Sequence, residues 1–367
     1  IEKISINNKL ISPADFHDIL EKKIKPALDK YVLQFSDHIS YFEAWLVIAF
    51  LYYKKQKCDW VILEAGLGGL HDATNVISEP KITAITNIGL DHTHILGNTK
   101  IKIAKDKAGI IKRNSIFLTT EKNKSLLKIF KATCRRQQAW LIPTKNLVNN
   151  YPAKRDPALR DNYFSTSKQK ENLNLALNIL DLLKIKPKSP QQIISKFKLI
   201  CRQEIIQQRP LVILDGSHNK DKLDNLISFV KQQKYKKLHL VLGFAQNKNH
   251  KAILKKLLQI SDNLYITRFI VSVRKSAELK KLYQDSHYII TAKAGQAGFR
   301  QRRNKKMRPK LPISIHNDPH QALNAALAKA KKDDLVLVTG SFFLTGELRK
   351  RWVPEKHILK YLKLDKK

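Results

Sequence analysis

Short runs of apolar residues that end in a glycine or an acid alternate along this chain with stretches whose apolar positions recur at helical spacing. A short apolar run bounded by turn residues reads as a buried strand, and the 3.6-residue period as a helix packed on it. Ser12 followed by Pro13 reads as an N-cap with proline at the first helical position, opening a helix toward Lys30. Ser40 and Glu43 have capping-box spacing and open a second helix, with Trp45, Leu46, Ile48, Ala49 and Tyr52 at its apolar positions. Val61–Leu63 then predicts a buried parallel strand that ends in Glu64 and passes into Gly66, Gly68 and Gly69, with Asp72 and Asn75 beyond. A second apolar strand, Ile82–Ile88, runs into Asp91, His92 and His94. A helix from Thr99, a strand at Ile116–Thr120 and a helix around Cys134 continue the alternation.

The second half repeats the design. Residues 146–170 are polar and read as a long loop, and Glu171–Leu183 as an amphipathic helix. A short helix is expected over Gln191–Ile200. Leu211–Asp215 is an apolar strand ending in an acid, followed by Gly216 and His218, and further strands are expected at Leu238–Phe244, Leu264–Thr267, Ile313–His316 and Leu335–Thr339. Asp318 and Pro319 cap a helix carrying Ala322, Ala325, Ala326 and Ala328. Alternating strands and helices of this kind predict an α/β protein with mostly parallel sheets.

Composition changes this picture in two respects. The 69 Lys and Arg against 31 Asp and Glu give a net charge of +38, which favours phosphate-bearing or otherwise anionic ligands. Most of that charge is scattered; one cluster, Arg300 to Lys310, reads either as a nucleic-acid patch or as a solvated loop. The three cysteines stand far apart with no C-x-x-C pair, which argues against disulfides and thiolate metal sites and for the cytoplasm. No apolar run approaches the ~20 residues of a membrane span. A lone carboxylate such as Glu64 at the end of a parallel strand reads either as a Mg²⁺ ligand beside a nucleotide or as a hydrated strand end.

Five segments together carry a resemblance: L-E-A-G-L-G-G-x-x-D-A-T-N, I-T-N-I-G-L-D-H-T-x-x-L-G-x-T, I-A-x-x-K-A-G-I-I-K, L-D-G-S-H-N and L-V-L-V-T-G-S. In order and spacing the chain resembles folylpolyglutamate synthase/dihydrofolate synthase, of the Mur ligase superfamily. The resemblance implies a central ATP-binding domain over residues 1–204 and a smaller Rossmann-like domain over 205–367. It implies ATP-dependent amide formation between a pterin-linked carboxylate, dihydropteroate or folate, and L-glutamate through an acyl phosphate, by a monomer. Glu64 and His92 are expected to bind Mg²⁺. Lys107 matches the lysine that the family carbamylates, so Lys107 and His92 are the expected catalytic residues. Asn172, Arg202, Asp215 and His218 are expected to contact ATP. Ser40, Tyr41, Phe42 and Glu43, with His71, Asp72 and Ala73, match the region that holds the pterin.

The sequence also departs from that family. No G-x-x-x-x-G-K-[ST] occurs, whereas the family carries this P-loop in a unit that precedes the point where this sequence starts. Leu70 replaces a usual Arg, Cys201 a usual Gly, and Lys168-Gln169 a His-Gln pair. These departures predict an N-terminally truncated ATP-binding domain and an impaired enzyme. The alternatives are a Mur-type ligase acting on a peptidoglycan precursor, a basic nucleic-acid-binding protein, and a non-catalytic remnant.

Overall fold

The structure, a computed structural model, describes residues 4–148, 166–187, 193, 199–246, 250–269, 276–300 and 311–354. The chain divides into two compact units, Ile1–Thr144 with Val353–Lys367, and Lys145–Trp352.

In the first unit Ser5–Ile6 (β1) and Lys9–Leu10 (β2) pair antiparallel across Asn7 and Asn8, both of which have positive φ. Two left-handed residues are what a tight hairpin turn demands, and asparagine tolerates that backbone. Ser12 accepts the Asp15 N–H with Pro13 at the first position, so a helix starts where the sequence indicates. It runs as α1 (Pro13–Ile19), a π-turn (Leu20–Ile24) and α2 (Lys25–Phe35). Helix α3 (Tyr41–Lys55) has the expected capping box: the Ser40 N–H donates to Glu43 Oε2 (2.8 Å) and the Glu43 N–H to Ser40 Oγ (3.3 Å). Ile4, Ile11, Ile19, Ile24, Ile48 and Tyr52 bury one cluster between these elements.

The second cluster of this unit holds a three-stranded parallel sheet in the order β3 (Ile82–Ile85), β4 (Ile116–Thr119), β5 (Trp140–Leu141). Between its strands come α4 (Thr93–Leu96), α5 (Lys100–Lys107, capped by Thr99) and α6 (Lys124–Arg136). Ile85, Ile103, Ala104, Phe117, Leu126 and Phe130 form its core.

Val61–Leu63 departs from expectation. It is irregular chain rather than a buried strand, with Val61 exposed and Ile62 94% exposed. An apolar run becomes a buried strand only where neighbouring strands take up its backbone groups, and the sheet β3-β4-β5 contains no strand from this segment. Glu64 is therefore an exposed residue in a loop.

In the second unit α7 (Ser167–Leu182) starts four residues before the expected Glu171, because Thr166 and Gln169 form a capping box that the reading of 146–170 as loop did not anticipate. Six strands follow: β6 (Glu204–Gln208), β7 (Leu211–Asp215), β8 (Leu238–Leu242), β9 (Asn263–Ile266), β10 (Ile313–Ile315) and β11 (Leu335–Thr339). Their order is β10-β9-β8-β11-β7-β6, parallel except for β6, which runs antiparallel to β7. Among the described residues the second unit carries the larger sheet.

Alternate residues of these strands enter opposite cores. Ile213, Leu240, Leu335 and Leu337 face α8 (Lys220–Lys231) and α9 (His250–Leu257), together with Leu282 of α10 (Leu279–Arg300). Val212, Leu214, Val336 and Val338 face α11 (Pro319–Lys329, capped by Asp318) and α12 (Phe342–Arg349). Burial on both faces explains why β7 and β11 read as continuous apolar runs. Among the described residues no helix is long and apolar enough to cross a membrane. Residues 301–310 of the basic run, residues 149–165 of the expected loop and most of the expected Gln191–Ile200 helix lie outside the described residues.

A buried pair sets the entry to this sheet. Asp334 accepts the Lys237 and Lys331 N–H groups (3.1 and 2.9 Å), and His239 Nε2 lies 3.4 Å from its Oδ2. Burial pushes the His239 pKa down, outweighing the pull of Asp334. Burial also works against the Asp334 charge, but the Lys331 N–H, His239 and the Lys237 N–H hold its pKa below the ordinary value. A histidine depressed on folding contributes stability that is complete above its unfolded pKa of about 6.5 and is lost as pH falls toward the folded value. Unfolding by urea should therefore show stability falling from pH 7.5 to 5.5, with a smaller fall in His239→Gln. An equal fall in both proteins would contradict this assignment.

Candidate active site

The Gly-rich loop after Glu64 and the K-A-G segment after α5 lie some forty residues apart in sequence but pack backbone against backbone. A Cβ on Gly69 would sit 2.9 Å from Lys107 Cα, and one on Gly109 would sit 2.5 Å from Leu70 Cα. Any side chain at either position would push the two segments apart, which is why both are glycine. Hydrogen bonds fix the contact. The Leu70 N–H donates to the Asp106 carbonyl (3.0 Å), and Asn75 Nδ2 to the carbonyls of Leu70 (2.9 Å) and Gly109 (3.3 Å). Lys112 Nζ donates to the Asn75 carbonyl (3.0 Å).

Asp72 braces the loop from within. Its Oδ2 accepts the Leu67 N–H (2.8 Å), and its Oδ1 accepts the Thr74 N–H (3.0 Å) and hydroxyl (2.6 Å). It caps the 3₁₀ turn Ala73–Val76, while neighbouring His71 is exposed. Lys107 Nζ donates to the Gly68 carbonyl (3.3 Å), which places its amine on the glycine loop. One Asp106 carboxylate oxygen is buried there without a hydrogen-bond partner.

His92 caps α4 from a left-handed backbone (φ 49°), and its N–H donates to Asp91 Oδ1 (3.0 Å). Its ring lies 6.2 Å from that of His94. The loop that carries it is set by Glu121, which sequence reasoning missed. Glu121 Oε2 accepts the Ile88 N–H (2.8 Å), and Oε1 accepts those of Lys122 (2.9 Å) and Asn123 (2.8 Å). Burial works against this carboxylate, yet the three N–H groups hold its pKa below the ordinary value. An acid directly after a predicted strand and before a helix was the available signal.

Among the described residues no three His, Cys, Asp or Glu side chains converge as metal ligands. Glu64 and His92 therefore do not make a self-sufficient metal site.

In the expected pterin region Phe42 meets the glycine loop: its ring would lie 3.0 Å from a Cβ on Gly66. Tyr41 is exposed and its ring packs at a tilt of 50° against Trp45 (centroids 5.4 Å apart), while Ser40 and Glu43 are engaged in their capping box.

A second group of residues gathers at the carboxyl end of β7, within the second unit. Asp215 is buried, and accepts the N–H groups of Gln203 (2.9 Å) and Ser217 (2.8 Å). Burial raises its pKa in spite of these donors. His218 Nδ1 lies 3.0 Å from the Gly216 carbonyl. The Arg202 guanidinium stands over the Phe342 ring. Asn172 does not open its helix; it lies on an exposed turn of α7, which begins at Ser167. The inward-facing Asn174 and Asn178 of that helix instead accept the Leu147 and Lys145 N–H groups (2.8 Å each).

Residues 201–342 match the family model of the Mur ligase, glutamate ligase domain. The dihydrofolate synthase/folylpolyglutamate synthase of Bacillus subtilis is 27% identical over 372 residues, covering 95% of this chain and 80% of that protein. In sequence the chain is similar to the folylpolyglutamate synthase/dihydrofolate synthase family. Its fold agrees: the Thermotoga maritima folylpolyglutamate synthase superposes with a TM-score of 0.73 at 24% identity, over 97% of this chain and 80% of that one. A Yersinia pestis bifunctional folylpolyglutamate synthase/dihydrofolate synthase, solved with AMPPNP and a Mn ion, gives 0.65 at 22% identity, over 85% and 71%. A likeness running through nearly the whole chain gives no support to the expectation of a truncated, impaired family member.

The locked loop yields a direct test. Gly109→Ala forces a methyl group against Leu70, and Asp72→Ala removes an acceptor of three hydrogen bonds. Each should cost about 2 kcal/mol of stability, read as a lower urea midpoint. Midpoints unchanged in both variants would show that the two segments are not locked.

Proposed function

We propose that this chain is an ATP-dependent ligase that joins L-glutamate to a pterin-linked carboxylate, of dihydropteroate or folate, by way of an acyl phosphate. The observation that carries this reading is the contact between the glycine loop and the K-A-G segment, in a chain aligned over 95% of its length with the Bacillus subtilis enzyme. In this reading residues 1–204 supply the ATP-binding part and 205–367 the glutamate-ligase part.

The roles follow from residue chemistry. Phosphoryl transfer to a carboxylate builds negative charge on oxygens, so it needs fixed positive groups and aligned reactants. Arg202 neutralises phosphate through its planar fork of N–H donors. Asp215, with acceptor capacity left beyond the Gln203 and Ser217 N–H groups and the Ser217 hydroxyl, accepts from ribose hydroxyls, while His218 and Asn172 supply further polar contacts. Ser40 to Glu43 and His71 to Ala73 border the pterin, with Phe42 as the apolar surface beside the glycine loop. Glu64 and His92 would hold a divalent cation, Mg²⁺, which when bound neutralises phosphate charge. Lys107 sits where its amine reaches the Gly68 carbonyl. Carbamylation would reverse its charge and make it an anionic oxygen donor, whereas the free ammonium would act as a cation beside the loop.

The chain incubated with ATP, labelled L-glutamate and dihydropteroate, or in parallel folate, should release ADP and label the pterin product in equal amounts. Lys107→Ala should lower kcat by about 10²-fold or more. Absence of labelled product with either pterin overturns the reading.

A further inference from the structure

Phe342 follows the Gly340-Ser341 turn at the end of β11, and the sequence motifs assigned it no role. Three groups meet on its ring. The Arg202 guanidinium carbon lies 4.8 Å from the ring centroid. The His218 imidazole approaches edge-on at 6.1 Å and 70°. Gly216 lies so close beneath that a Cβ there would collide with the ring. The ring is thus a shared support for two residues that reach it from different segments, the entry to β6 and the exit of β7.

The backbone around Arg202 is held on both sides. Cys201 and Gln203 take left-handed conformations (φ 55° and 50°). The Gly216 N–H donates to the Cys201 carbonyl (2.8 Å) and the Gln203 N–H to Asp215 Oδ2 (2.9 Å). The Cys201 N–H donates to Glu204 Oε2 (2.8 Å), a carboxylate that Arg349 of α12 grips through Nε at 3.0 Å to each oxygen. These bonds fix where the Arg202 side chain begins. They do not fix where its long, flexible stem ends, and stacking on an aromatic ring does that for a planar guanidinium.

We propose that Phe342 is a positioning residue for the nucleotide: its ring holds Arg202 and His218 as a pre-formed pair that ATP meets without reordering either. The inference rests on the reading above that Arg202 and His218 contact ATP. A guanidinium supported from one side by a ring keeps its N–H donors free at the rim of its plane, where a phosphate is bound in bidentate fashion.

Equilibrium binding of ADP to the full chain tests this. Phe342→Leu should weaken ADP binding about five-fold, and Phe342→Tyr, which keeps the ring face, by less than about two-fold. In an Arg202→Ala background, adding Phe342→Leu should matter by less than about two-fold, because the ring then has no guanidinium to hold. Arg202→Lys leaves the Phe342 ring in place, keeps the charge and loses the guanidinium that stands over the ring, so it should weaken ADP by a similar factor even if the Phe342 variants fold poorly. In turnover, Phe342→Leu should raise the KM for ATP with kcat nearly unchanged. Wild-type affinity in both Phe342→Leu and Arg202→Lys overturns the positioning role, as does an undiminished five-fold effect without Arg202. A wild-type chain that binds no ADP overturns the nucleotide reading itself, and the role of Phe342 with it.

Discussion

The close approach of two backbones, the glycine loop at residues 68–70 and the end of α5 with its following turn at residues 106–109, is the contact on which the first unit's candidate site depends. The glycine loop has no regular ladder of its own to hold it, whereas the other segment ends a helix. The loop's polar groups are instead satisfied by Asp72 and Asn75 from within and by Asp106 and Gly109 from across the contact. Buried backbone groups left without partners are costly, so the site keeps its shape only while the two segments touch. The same contact places the Lys107 amine on the Gly68 carbonyl and leaves one Asp106 oxygen buried and unpaired. Polar groups held at such a cost are candidates for chemistry rather than for stability.

The second unit solves its problem differently. Its sheet buries both faces under helices, and two buried carboxylates then organise the ends. Asp334 ties the starts of β8 and β11 together through the Lys237 N–H and its own turn. Glu204 ties the chain entering β6 to Arg349 of α12. At the opposite, carboxyl edge, β7 and β11 are neighbours, and so Asp215, Gly216 and His218 come beside Ser341 and Phe342. Ligands of open α/β sheets bind at the carboxyl ends of strands, and here adjacency of two strands far apart in sequence brings these residues together at that edge.

Much of this was legible in the sequence wherever a local signal had no competitor. Caps at Ser12, Ser40, Thr99 and Asp318 start helices where they stand, because capping is a short-range hydrogen bond. Leu211–Asp215 and Leu335–Thr339 are strands to the residue, because burial on both faces requires an uninterrupted apolar run. Val61–Leu63 has the same composition yet is not a strand, since composition does not supply a pairing partner. The polar Glu204–Gln208 strand was not foreseen, since an antiparallel edge strand needs little apolar character. Among the site residues, the motifs led to Arg202, Asp215 and His218, which the fold brings together. The motifs singled out neither Glu121 nor Phe342, whose importance lies in what they hold.

Hydrogen exchange at single amides tests the central claim, that the glycine loop and the end of α5 form one locked unit. The Leu67, Leu70 and Thr74 amides, bonded to Asp72 and Asp106, should exchange slowly and with the same opening free energy as amides within α5. Exchange of these three at the rate of free loop amides, while α5 stays protected, would contradict it.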